Sequence, residues 1–136
     1  MPIEVKMLVW SLILLFVLIL IQVMTTVLGY GLPVAAGNRD GLPASKPGFA
    51  GRVDRSITNL KENLIFFIPI VILAAVFQTS NEMTAMGAMV FLGARVGHAV
   101  VYLAGIPWIR TLLFLIGVVG LGMMLLGLGL PGALFA

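Results

Sequence analysis

The uncharged run MLVWSLILLFVLILIQVMTTVLGY, residues 7–30, decides the class of fold. A helix needs roughly 20 mostly apolar residues to cross the hydrocarbon core of a bilayer. This stretch meets that length with Gln22, Thr25 and Thr26 as its most polar members. Read alone, it competes with a secretory signal. The apolar run is too long for a signal's hydrophobic region, and the basic segment before it is weak, with Lys6 alone.

Working outward, three more stretches carry the same signal. They lie at about 52–78, with its polar head before residue 59, at 83–104, and at 107–130. The whole chain has 136 residues, 61% hydrophobic and 10% charged. Soluble domains carry about 25% charged residues, and a small globule needs polar groups to cover its surface. The composition therefore excludes a water-soluble core, and its apolar content excludes intrinsic disorder. The expectation is an all-α integral membrane protein, a single domain over 1–136 built as a four-transmembrane-helix bundle. Cysteine is absent, which rules out a disulfide framework, a thiolate metal site and a protein thiol nucleophile.

The one long connection, 31–51, is rich in Gly and Pro and is expected to be irregular. Thr79-Ser80-Asn81-Glu82 suits a helix start, since a side-chain oxygen there can accept from free backbone N–H groups. Pro107 suits a first helical turn, where its missing N–H costs nothing, and Pro69 is expected to bend the second span. In the fourth span, Gly117, Gly120, Gly122, Gly127 and Gly129 predict tight packing.

Orientation follows from the cations. Arg39, Lys46, Arg52, Arg55, Lys61 and Arg110 fall on one side, and Lys6 on the other. The positive-inside rule puts the long loop in the cytoplasm and both termini outside, in the inner or plasma membrane for a bacterial chain. The net charge of +3 is read as this topogenic signal, with no nucleic-acid partner expected.

Ionisable groups at membrane depth usually face a cavity or a partner. Arg52, Arg55, Asn59, Glu62 and Asn63 fall within an arc of about 100° on one helix face. Asp54 and Lys61 point elsewhere. Arg55 and Glu62 stand about 10 Å apart along the axis, the length of a small extended peptide. Structural ion pairing with other helices is the competing reading. In the third span, Arg95, His98 and Tyr102 share an arc of roughly 60°, while Gly93 and Gly97 form a GxxxG pattern opposite, expected to let helices approach closely. Arg110 and Thr111 open the fourth span, where Arg110 alone reads as an interfacial anchor beside Trp108. Helix direction brings all three groups to a similar depth, where they can line an anion-attracting pocket. No metal-ligand spacing, P-loop, dinucleotide fingerprint or serine-hydrolase motif is present.

These residues resemble a known family. Arg55-Ser-Ile-Thr-Asn59-Leu-Lys-Glu62-Asn63 resembles the Arg-x-x-x-Asn-x-x-Glu signature of the MAPEG family, the membrane-associated proteins in eicosanoid and glutathione metabolism. The run from Phe91 through Arg95, His98 and Tyr102 resembles the third helix of that family's prostaglandin E synthase branch, and Pro107-Trp-Ile-Arg110-Thr111 resembles its entry to helix four; the chain as a whole is similar to the microsomal glutathione transferase and prostaglandin E synthase branches.

The resemblance implies a homotrimer in the lipid bilayer with glutathione, as co-substrate, bound between subunits on the cytoplasmic side. It implies that Arg55, Asn59 and Glu62, with Arg52 as a weaker candidate, hold the peptide's polar ends. Arg95, His98 and Tyr102 complete the wall. Arg110 faces the glutathione sulfur, with Thr111 as a hydroxyl partner. The activity implied is that of a glutathione transferase or peroxidase acting on a lipophilic electrophile. Two alternatives stand beside it. One is a non-catalytic member that binds a lipid or a partner protein, since the first span offers no cation toward the site. The other is an accessory subunit of a membrane complex. The Gly/Pro-rich loop gives no support to an eicosanoid substrate.

Overall fold

The computed structural model describes residues 1–136, Pro131 by its backbone alone, and is helical throughout with no strand among the described residues. In chain order the helices are α1 (Ile3–Tyr30), α2 (Leu32–Ala36), α3 (Gly48–Val76), α4 (Glu82–Ala104), α5 (Pro107–Gly127) and α6 (Leu130–Phe135). Four of them, α1, α3, α4 and α5, are long and apolar enough to cross a membrane. Together they form the expected all-α bundle.

Element ends differ from the sequence-based limits for local reasons. α1 begins at Ile3, after Pro2 at its N-cap and with Glu4 in its first turn. The segment expected to be irregular holds the short helix α2, started by Pro33 in its first turn. Pro47 occupies the N-cap of α3, so that helix begins at Gly48, ahead of Arg52. α3 continues through Pro69 to Val76 and stops before Gln78, which adopts a positive φ of 53°. α5 closes at Gly127, and α6 follows as a separate short helix.

The apolar side chains of α1 mostly point away from the protein: Trp10 is 57% exposed and Leu28 80%. Such a surface is stable against lipid, where every backbone polar group is satisfied inside its own helix. Lipid chains are as apolar as Leu, so the helices are held by close packing and hydrogen bonds more than by expulsion of water. At the centre Phe67 of α3 stacks on Phe91 of α4, with ring centroids 4.1 Å apart.

The closest approach is between α4 and α5. A Cβ at Gly87 would lie 2.6 Å from the carbonyl oxygen of Gly120, and one at Gly120 would lie 2.7 Å from that of Gly87. Only glycine at both positions allows this crossing. The GxxxG pattern makes part of the contact expected of it: a Cβ at Gly93 would meet nothing within 4 Å, while one at Gly97 would lie 3.3 Å from the Leu113 side chain of α5. The closest contact falls at Gly87 because its partner glycine lies on α5, outside the reach of a spacing rule within α4.

Antiparallel packing gives the bundle two polar ends. One gathers Lys46, Arg52, Arg55, His98 and Arg110, and is called the basic end here. At the other, Asn81 caps α4, accepting from the N–H groups of Met83 and Thr84, while its own N–H donates to the Thr84 hydroxyl at 2.8 Å. The Asn81 side chain also donates to the carbonyl of Gly127 at 2.7 Å, fastening the end of α5. Glu4, 2% exposed, accepts a hydrogen bond from Thr84 Oγ1.

Candidate functional site at the basic end

Arg95 sits at the meeting point of three helices. It is 2% exposed, despite being the largest fully buried side chain. Its Nη1 donates to Asn59 Oδ1 on α3 at 3.1 Å. Its Nη2 donates to the carbonyls of Leu113 and Phe114 on α5, both at 3.2 Å. The guanidinium also lies 5.7 Å from the Phe91 ring and 5.6 Å from the Phe114 ring, within cation–π reach. Gly117 provides the socket: a Cβ there would lie 2.4 Å from Nη2. Burying a cation is costly unless its donors are met; both Nη atoms of Arg95 are, and the buried Nε has no partner among the described residues. Asn59 is itself held, its carbonyl accepting from Asn63 Nδ2 at 2.8 Å.

A second group continues toward the basic end. His98 is 5% exposed, and its ring lies 5.5 Å from that of Tyr102. The Arg110 guanidinium stands 4.8 Å from the Tyr102 ring centroid. Arg110 is half-buried and Thr111 exposed. The fourth span thus delivers a cation to an aromatic face.

The α3 residues divide. Glu62, exposed, lines a cleft of about 370 Å³ between α3 and α5, together with Asn63, Phe66, Phe114, Val118 and Leu121. Arg55, also exposed, lines a different cleft of about 220 Å³ with Lys46, Gly51, Asp54 and Thr58. Arg52 turns away from both. Its Nε donates to the carbonyl of Leu103 at 3.2 Å, and its guanidinium packs 3.7 Å from the position a Cβ would take on Gly105. Gly105 ends α4 in the left-handed conformation, with φ of 80°. A cation at a helix C-terminus is favourable, so Arg52 serves as a tie between α3 and α4.

Within one chain, then, Asn59 and Arg95 are joined, as are His98, Tyr102 and Arg110, while Arg55 and Glu62 stand at separate openings. Sequence reasoning did not find a further constellation. Lys46, 9% exposed, donates to Thr26 Oγ1 at 3.0 Å and pairs with Asp54 Oδ2 at 3.5 Å. Gln22 donates to Asp54 Oδ1 at 2.9 Å. The only signal for it was the isolated polar trio of the first span.

Fold and site together define an α-helical, four-span membrane protein with buried cations at one end. The MAPEG family model matches residues 7–130, and the chain belongs to that family. Its members include glutathione transferases and peroxidases as well as non-catalytic proteins, and the family generally uses glutathione. No curated protein and no solved structure gives a significant match.

Proposed function

We propose that this protein is a glutathione-dependent transferase or peroxidase of the bilayer, acting on a lipophilic electrophile or hydroperoxide. The observation that carries the reading is the depth at which its cations are held. Arg95 is locked to Asn59, and Arg110 rests half-buried on Tyr102 beside apolar, lipid-facing helices. The thiolate of a thiol is the nucleophilic form, and a guanidinium in a low-dielectric setting favours that anion. Arg110 is assigned to the glutathione sulfur, with Thr111 as hydroxyl partner. Arg55 and Glu62 are assigned to the peptide's charged ends, and Asn59, His98 and Tyr102 to the wall between. Arg95 is assigned to shaping that wall and Arg52 to its margin. The substrate brings the sulfur, which agrees with a chain that has no cysteine.

The separate openings of Arg55 and Glu62 favour a site completed by a neighbouring subunit. We assign a homotrimer, with the basic end in the cytoplasm and both termini across the membrane. The likeness to the microsomal glutathione transferase and prostaglandin E synthase branches belongs to the same proposal. The test is calorimetry with glutathione, followed by turnover of a model electrophile while thiolate absorbance is monitored. Wild-type protein that neither binds nor turns over defeats the proposal. An Arg110→Ala variant with unchanged turnover removes Arg110 from its assigned role.

One observation favours a second reading, a non-catalytic lipid- or partner-binding member. The first span supplies no cation, and its Gln22 is occupied by Asp54. Lipid retained through purification, with no heat of glutathione binding, supports that reading.

A further inference from the structure

The connection between α1 and α3 carries a lysine that is far more buried than its place in a polar loop predicts. Lys46 is 9% exposed, with an ammonium that meets one hydroxyl and one carboxylate, on Thr26 and Asp54. Thr26 is itself tied down, donating to the Gln22 carbonyl at 2.9 Å. Asp54 is claimed twice, by Lys46 through one oxygen and by the Gln22 amide through the other. The neighbouring Arg55 lines the same cleft, and its Nη1 would lie 3.2 Å from a Cβ on Gly51. Among the described residues Arg55 has no carboxylate in ion-pair contact, the one ion pair being Lys46 with Asp54.

We propose that Lys46 is a positioning residue for the glutathione site: by neutralising Asp54 and holding it toward α1, it leaves Arg55 free for a ligand carboxylate. The inference rests on the glutathione reading given above. Without Lys46 the cleft contains an uncompensated aspartate beside the cation assigned to the peptide. That charge attracts the Arg55 guanidinium and repels an incoming carboxylate. An interaction of Asp54 with the exposed Arg55 is worth up to about 1 kcal/mol, which corresponds to roughly a fivefold change in affinity.

The test uses the full chain in detergent, with glutathione calorimetry and steady-state kinetics on a model electrophile. Lys46→Met is expected to raise the glutathione Kd and KM about three- to fivefold while kcat stays within twofold. Lys46→Arg is expected to behave as wild type. The deciding variant is Lys46→Met combined with Asp54→Asn. Removal of the stray charge restores wild-type affinity if Lys46 acts by neutralising it. A double variant as weak as the single one shows a role in packing alone and overturns the proposal, as does an unchanged Lys46→Met. Should Lys46→Met not fold, Asp54→Asn alone decides: wild-type affinity supports the proposal, and a fivefold loss overturns it. Failure of the wild type to bind glutathione defeats the underlying reading and this inference together, a result distinct from any outcome of the variants.

Discussion

The two ends of the bundle handle polar groups in opposite ways. At the end formed by Glu4, Asn81, Thr84 and Gly127, hydrogen bonds run from residue to residue. Asn81 caps α4 and reaches α5, while Thr84 satisfies Glu4 and its own cap. At the basic end Arg95 is anchored in three places and Lys46 in two, while the buried Nε of Arg95 has no hydrogen-bond partner among the described residues. The outer ones, Arg55, Glu62 and Arg110, lack a carboxylate or ammonium partner among the described residues. Buried polar groups left unmatched are costly, so a closed network reads as structure. Exposed charges stand at the other end too, on Lys6 and Glu82; Arg55 and Glu62 each line a cleft beside polar neighbours.

This contrast can be broken by substitution. The largest effect is expected at the α4–α5 crossing that both ends depend on. Gly87→Val forces side-chain atoms into the Gly120 backbone and is expected to cost about 3 kcal/mol, measured as a lower thermal midpoint in detergent. Next is Arg110→Ala, which under the proposed function is expected to lower glutathione turnover about a hundredfold, or about 2.7 kcal/mol in the barrier, with the thermal midpoint unchanged. Thr84→Val, at the closed end, leaves Glu4 without its donor. It is expected to cost about 2 kcal/mol of stability without affecting glutathione affinity. Asn81→Ala, which removes the α4 cap, is expected to cost about 1 kcal/mol and to fray the start of that helix in hydrogen exchange. A loss of glutathione affinity in Thr84→Val, or a loss of stability in Arg110→Ala, would erase the distinction between the two ends.

The spans were legible because bilayer thickness imposes a length on each apolar run, and the capping residue near 79–82 followed from ordinary hydrogen-bond chemistry. Helix-face arithmetic grouped Arg95 with His98 and Tyr102. It had no access to the Gly117 socket on the next helix, which is why the depth of Arg95 was not foreseen. For the same reason the GxxxG pattern pointed to Gly93 and Gly97, while the closest contact uses Gly87 and Gly120. By sequence Lys46 is one more topogenic loop charge. Its burial depends on Thr26 and Asp54, which lie far from each other in sequence and meet only when α1 and α3 pack. Arg52 shared the arc of Arg55, yet the end of α4 captured it.

The glycine crossing has a packing consequence. With their backbones touching, α4 and α5 share by far the most extensive contact in the bundle, whereas α3 and α5 barely meet. The molecule is therefore tightly packed along one seam and sparsely packed along another. The sparsely packed seam is the one that holds the cleft lined by Glu62 and Phe114. Arg95 is the side chain that ties the two together, joining α4 to Asn59 on α3 and to the backbone of α5.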